Sequence, residues 1–268
     1  MGKVFVAARD VKAGRFIDAR FNLQDRDWGK QAFHSGHIQG AIYWDLELDL
    51  SDMTKSEGRH PMPSKEQLQH LFEQSGLNYD DSIYIYDQGG APFAARAWWM
   101  LKYANFPNVY IVNGGIEALK EAGISLTVEE SKYDVTDLVL DWNDAIYSNS
   151  ADVKNIVDGV QKALLLDARS NERYIGKNEP IDKVAGHIPT AENFDWEQLK
   201  QGSELHANEQ LLEKFNRDEE IVVYCGSGVT ASPLYAILAD SGYENLKLYV
   251  GSYSDWITQY EVETGENK

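Results

Sequence analysis

The sequence predicts an α/β protein made of two similar halves, each a mostly parallel sheet flanked by helices. Three observations carry this. Short apolar runs ending in Asp, Gly or Cys alternate with amphipathic helix candidates, as in strand–helix–strand units. Four segments of the first half recur in the second, in the same order and at similar spacing. An acidic stretch without periodicity, Thr127 to Asp144, carrying Glu129, Glu130, Asp134, Asp137 and Asp141, lies between them. The expected domains are residues 1–135 and 145–268, with the boundary near residue 140.

The first half reads Phe16-Ile17-Asp18-Ala19-Arg20, Ser35-Gly36-His37-Ile38-Gln39-Gly40-Ala41, Ile83-Tyr84-Ile85-Tyr86-Asp87 and Ile111-Val112-Asn113-Gly114-Gly115. The second reads Leu164-Leu165-Leu166-Asp167-Ala168-Arg169, Ala185-Gly186-His187-Ile188-Pro189-Thr190-Ala191, Ile221-Val222-Val223-Tyr224-Cys225 and Lys247-Leu248-Tyr249-Val250-Gly251. Between the strands of the first half, Ser64 and Gln67 form a capping box ahead of Leu68, Leu71 and Phe72 at helical spacing, and Gly76 closes that helix. The duplicated Asp-Ala-Arg at two strand ends reads as structural ion pairing.

Composition narrows the function classes. The chain has 268 residues, 43% of them hydrophobic, and a formal net charge of −18. Such an excess of acid argues against binding nucleic acid or an anionic membrane through bulk electrostatics. No apolar run approaches the roughly 20 residues that span a bilayer. The first residues, MGKVFVAARDVKAGRF, keep charges throughout and lack a secretory apolar region, so a cytoplasmic protein is expected. One cysteine excludes an internal disulfide framework and a Cys-rich metal site, and fits a reducing compartment. No metal or other cofactor is expected.

That cysteine lies in IVVYCGSGVTAS, Ile221 to Ser232. The β-branched run is a buried strand candidate. Pro233, Leu234, Tyr235, Ile237 and Leu238 then read as a helix with proline in its first turns, ended by Gly242. The loop between them holds Gly226 and Gly228, which can take positive φ and turn N–H groups inward. Such a nest above a helix N-terminus stabilises an anion, and helix N-termini favour the thiolate. The carboxyl end of a parallel strand is also where α/β ligand sites form.

The duplicated Asp-Ala-Arg…Gly-His-Ile pattern, Arg96-Ala97-Trp98-Trp99-Met100, and Cys225-Gly226-Ser227-Gly228-Val229-Thr230 resemble the tandem-domain sulfurtransferases of the rhodanese family over nearly the whole chain. The resemblance implies two rhodanese-like domains, of which only the second keeps the nucleophile; Asp87 is the first-half counterpart of Cys225. It implies a Cys225 persulfide held by the loop amides of Gly226, Gly228, Val229 and Thr230. The sulfur comes from thiosulfate or 3-mercaptopyruvate and passes to a thiol, thioredoxin among the candidates, or to cyanide. The uncharged loop matches the mercaptopyruvate branch, in which Ser227 would act with His60 and an acid, best matched by Glu47 with Asp45 and Asp49 nearby. Arg173 matches the substrate arginine. The place of a second substrate arginine falls near Glu179-Pro180-Ile181, where there is none; Lys177 or Lys183 is the substitute available. The alternative is a non-catalytic rhodanese-like module that senses or carries sulfur.

Other motifs point elsewhere and fall short. A Cys-based phosphatase needs an arginine six residues after the cysteine, where Ala231 stands. His34 and His37 lack further ligands nearby in sequence. Gly114-Gly115 lacks the spacing of a dinucleotide loop. Asp218-Glu219-Glu220 reads as a solvated turn.

Overall fold

The computed structural model describes residues 3–266. Each half is built on a five-stranded sheet. In the first, the order is Phe5–Ala7, Val109–Asn113, Ile83–Tyr86, Arg15–Asp18, Ala41–Tyr43, all parallel. In the second, Tyr147–Ser148, Leu246–Tyr249, Ile221–Tyr224, Leu164–Asp167 and Glu192–Asn193 follow in the same spatial order, again all parallel. The two central strands are buried at every position. Their near-continuous apolar sequence is what a parallel strand covered on both faces requires.

The duplication extends to single hydrogen bonds. Arg20 forks onto Asp18 and donates to the Gly36 carbonyl at 2.8 Å; Arg169 forks onto Asp167 and donates to the Gly186 carbonyl at 2.7 Å. The Ile38 and Ile188 amides donate to the hydroxyls of Tyr86 and Tyr224, each at 3.2 Å. His37 stacks on Phe33 and bonds the Phe33 and Glu129 carbonyls, while His187 stacks on Tyr174. The Asp-Ala-Arg motifs are therefore buried ion pairs that tie a strand end to a neighbouring loop.

Local signals place the helices. Ser64 Oγ accepts the Gln67 amide at 3.2 Å and Gln67 Oε1 accepts the Ser64 amide at 2.7 Å, starting the helix Lys65–Gln74, with Gly76 at φ +61° beyond it. Phe93–Tyr103 and Ala231–Asp240 follow the two central strands. Both are apolar nearly all round, which demands burial on all sides. They meet that demand by packing on each other, with Trp98 and Tyr235 ring centroids 6.2 Å apart. One apolar core spans this seam, so the halves are not independent beads. The acidic segment forms no helix or strand between residues 128 and 143. It lies against the first half, where the Tyr133 hydroxyl donates to the Gly40 carbonyl at 2.8 Å and Thr136 to that of Leu77 at 2.7 Å. Among the described residues, no helix is long and apolar enough to cross a membrane.

Candidate active site

Cys225 follows directly on the central strand of the second half, and the loop from Gly226 to Thr230 leads into the helix Ala231–Asp240. Its own N–H donates to Ser252 Oγ at 3.1 Å, and its carbonyl accepts the Tyr253 amide at 3.0 Å. The residue is thereby fixed from both sides. No acceptor among the described residues takes the N–H groups of Gly226, Ser227, Gly228, Val229 or Thr230. Five successive amides at a helix N-terminus are thus free to face an anion.

The two glycines serve different ends. Gly228 has φ +74°, and a Cβ there would lie 2.2 Å from the Val250 carbonyl oxygen. Gly226 does not take positive φ, contrary to expectation. A Cβ on it would instead meet a guanidinium nitrogen of Arg59 at 2.4 Å and one of Arg173 at 3.3 Å. Gly226 is small so that two arginines can lie over the loop. Cys225 is only 1% exposed beneath them.

Ser227 and His60 meet across the two halves: Ser227 Oγ and His60 Nδ1 are 2.9 Å apart. His60 is pushed down to about 3, first by burial and then by the positive charges of Arg96, Arg59 and Arg26. The ring is therefore neutral at neutral pH. Arg96, on the first-half helix of the seam, orients this segment by donating to the His60 carbonyl at 3.0 Å and twice to that of Leu50. Its Nη1 is buried without a partner among the described residues, and its charge interacts with Cys225.

Glu47 does not join this pair. Its carboxylate binds Arg26 at 3.0 Å, and no carboxylate among the described residues hydrogen-bonds His60. The turn Asp45–Asp49 explains the difference. Asp45 accepts the amides of Glu47 and Leu48, and Asp49 accepts that of Asp45 at 2.7 Å. Two of the three candidate acids are thus spent on the turn's own backbone, and burial pushes Asp49 up to about 6.

Arg173 reaches the loop as expected, but not alone. It forks onto Glu179 and donates to Asp182 Oδ2 at 3.0 Å. Asp182 Oδ1 in turn accepts from Arg59, which comes from the first half. Lys177 is not at the site. The turn at Gly176, with φ +76°, sends it outward, where it pairs with Glu172 at 3.3 Å in solvent. The second cation beside the loop is Arg59, which no sequence motif marks as a site residue. Its only signal was adjacency to His60 in Arg59-His60-Pro61.

The rhodanese-like domain family matches this chain twice, over residues 6–122 and 149–259. A probable 3-mercaptopyruvate sulfurtransferase of Pseudomonas aeruginosa is 37% identical over 262 residues, covering 93% of this chain and 92% of that protein. A putative thiosulfate sulfurtransferase, SseB, of Mycobacterium tuberculosis is 34% identical over 274 residues, covering 95% and 94%. Among solved structures, the 3-mercaptopyruvate sulfurtransferase SseA of Escherichia coli superposes with a TM-score of 0.81 at 30% identity, over 94% of this chain and all of that one. The matched spans take in all but the outermost residues of the two parallel sheets, and the Cys225 loop ends the central strand of the second, so the chain belongs to the rhodanese family as a tandem pair of rhodanese-like domains.

Proposed function

We propose that this protein is a sulfurtransferase that carries sulfane sulfur on Cys225. The free loop amides beside that cysteine, with the Ser227–His60 contact reaching it from the other half, support the reading most directly. The similarity to a probable 3-mercaptopyruvate sulfurtransferase and a putative thiosulfate sulfurtransferase agrees with it.

The Cys225 thiolate attacks the donor sulfur. With 3-mercaptopyruvate, a new S–S bond forms and the C–S bond breaks. Its electron pair goes to the departing carbon, and the thiol proton of the donor ends there, leaving pyruvate and a Cys225 persulfide anion. With thiosulfate, sulfite leaves and no proton moves. Cyanide or a thiolate then takes the outer sulfur and restores the Cys225 thiolate. This is covalent catalysis with ping-pong kinetics. The loop amides hold the anion at each stage, as preorganised donors do wherever charge develops.

The Ser227–His60 pair favours 3-mercaptopyruvate. A neutral ring protonated at Nε2 accepts the Ser227 hydroxyl at Nδ1, a chain suited to moving the donor's proton to carbon. Thiosulfate gives such a chain nothing to do. Arg173 would hold the donor carboxylate. The acceptor we propose is a small thiol or a dithiol protein such as thioredoxin, in the reducing cytoplasm that suits a lone reactive cysteine. A purely sulfur-carrying module would not need the Ser227–His60 contact.

Incubation with 3-mercaptopyruvate and cyanide should release thiocyanate. Mass spectrometry without acceptor should find one added sulfur on Cys225. Neither product with either donor would overturn the reading.

A further inference from the structure

Arg59 and Arg173 approach the same loop from different halves, and a single carboxylate already lies between them. Asp182 gives Oδ1 to Arg59 and Oδ2 to Arg173. The Asp182 side chain is 3% exposed, and so is that of Glu179, whose carboxylate braces Arg173 and accepts the amides of Ile181 and Asp182 at 3.0 Å each. Both guanidiniums lie close over Gly226, and Cys225 beneath them is closed to solvent. The arrangement binds a carboxylate with one oxygen on each of two planar cations, at the mouth of the cysteine loop. The cavity beside it, about 460 Å³, is lined by Arg59, Asp182, Lys183, Ser254 and Thr258 and does not include Cys225.

We propose that Arg59 and Arg173 together form the carboxylate subsite for the sulfur donor, shared between the two halves, and that Asp182 is its internal occupant, displaced when the donor binds. The inference rests on the proposed donor being a 2-oxo thiol acid. Arg59 then supplies the second guanidinium that the segment Glu179-Pro180-Ile181 lacks. A carboxylate is the class that fits, because a carboxylate is what the two cations hold. Displacing Asp182 also moves the groups that cover Gly226, so binding and access to the sulfur are one event. Asp182 competes with every anionic donor, so its removal tightens their binding.

The test compares 3-mercaptopyruvate with 1-mercaptopropan-2-one, which lacks only the carboxylate. Arg59→Ala should raise KM for 3-mercaptopyruvate about tenfold with a much smaller change in kcat, as loss of uniform binding does. It should also lower the preference for 3-mercaptopyruvate over the neutral ketone about tenfold. Arg59→Lys should recover part of the loss, because a point charge lacks the fork. Asp182→Asn should lower KM for 3-mercaptopyruvate about fivefold. Equal effects of Arg59→Ala on both donors, or a raised KM in Asp182→Asn, would overturn the subsite. Pyruvate binding by calorimetry requires no turnover. Weaker pyruvate binding in Arg59→Ala and tighter binding in Asp182→Asn would uphold the subsite even if the transferase reading failed. Unchanged pyruvate binding in both would overturn it.

Discussion

The two halves end their central strands in different ways, at Asp87 and at Cys225. In the first half the Asp87 carboxylate reaches into its own loop: Oδ1 accepts the Gly89 amide at 2.8 Å and Oδ2 the Ala94 amide at 3.1 Å. The Asp87 carbonyl accepts the Ile116 amide at 2.9 Å, just as the Cys225 carbonyl accepts that of Tyr253. One architecture thus makes two loops of amide donors. The first is filled by a covalently attached carboxylate, and the second keeps its amides free. What separates the two loops is whether the chain supplies its own anion.

The largest expected effect comes from making the second loop imitate the first. Cys225→Asp should fold, because its carboxylate can accept the free loop amides as Asp87 does, and should produce no thiocyanate above background. Any turnover there would remove Cys225 as the sulfur carrier. Next come the paired arginines. Arg20→Ala and Arg169→Ala each leave a buried carboxylate without its cation, which costs roughly 3–5 kcal/mol; urea unfolding should register both. Arg169→Ala should also raise KM for 3-mercaptopyruvate, because Arg169 holds Glu179 at 3.2 Å and Glu179 braces Arg173. Arg20→Ala has no such route to the site, so equal effects on KM would break the distinction between the halves.

Ser227→Ala should lower kcat with 3-mercaptopyruvate by about 10²-fold or more, the scale of a lost proton-transfer group. It should leave the reaction with thiosulfate far less affected. Similar losses with both donors would show that Ser227 shapes the loop rather than moves a proton.

The smallest effects are in pH dependence, where two groups of the first half oppose each other: Asp87 in its own loop, and His60, which faces the Cys225 loop. Burial pushes Asp87 up to about 6, against the hydrogen bonds from Ala94 and Gly89. With an unfolded value of about 3.9, the folded state takes up this proton first as pH falls. Stability from Asp87 is therefore present at low pH and lost as pH rises from about 4 to 6. His60 runs the other way. Its folded value of about 3 lies below the unfolded value of about 6.5, so its contribution is lost as pH falls through that window. Asp87→Asn should make unfolding free energy climb more steeply with pH between about 4 and 6, and His60→Gln should flatten or reverse it. Parallel shifts in the two variants would contradict the assignment of these charges.

Much of this was legible in the chain. The capping box at Ser64 and the helix opened around Pro233 depend on residues within one turn of each other. The Asp-Ala-Arg pairs join neighbours two residues apart, and the Cys225 loop is local in the same sense. The duplication implied that the two halves share one topology, because each repeats the other's strands; the strand order itself is set by the structure. The Ser227–His60 contact was inferred from resemblance and needs the halves to pack through the helices Phe93–Tyr103 and Ala231–Asp240.

Two site assignments turn on the same physics. Glu47 was chosen over its neighbours by position, yet the turn from Asp45 to Asp49 and the reach of Arg26 decide where that carboxylate goes. Lys177 was chosen for its nearness in sequence to the missing arginine, yet the turn at Gly176 carries it into solvent and the other half brings in Arg59. The sequence by itself determined the parallel strands, the buried ion pairs and the strand–loop–helix around Cys225, because each follows from periodicity or from groups a few bonds apart. Only the tertiary structure decided which charges gather over Cys225. Long side chains choose partners by distance in space, and that distance is set by how two apolar helices pack across the seam.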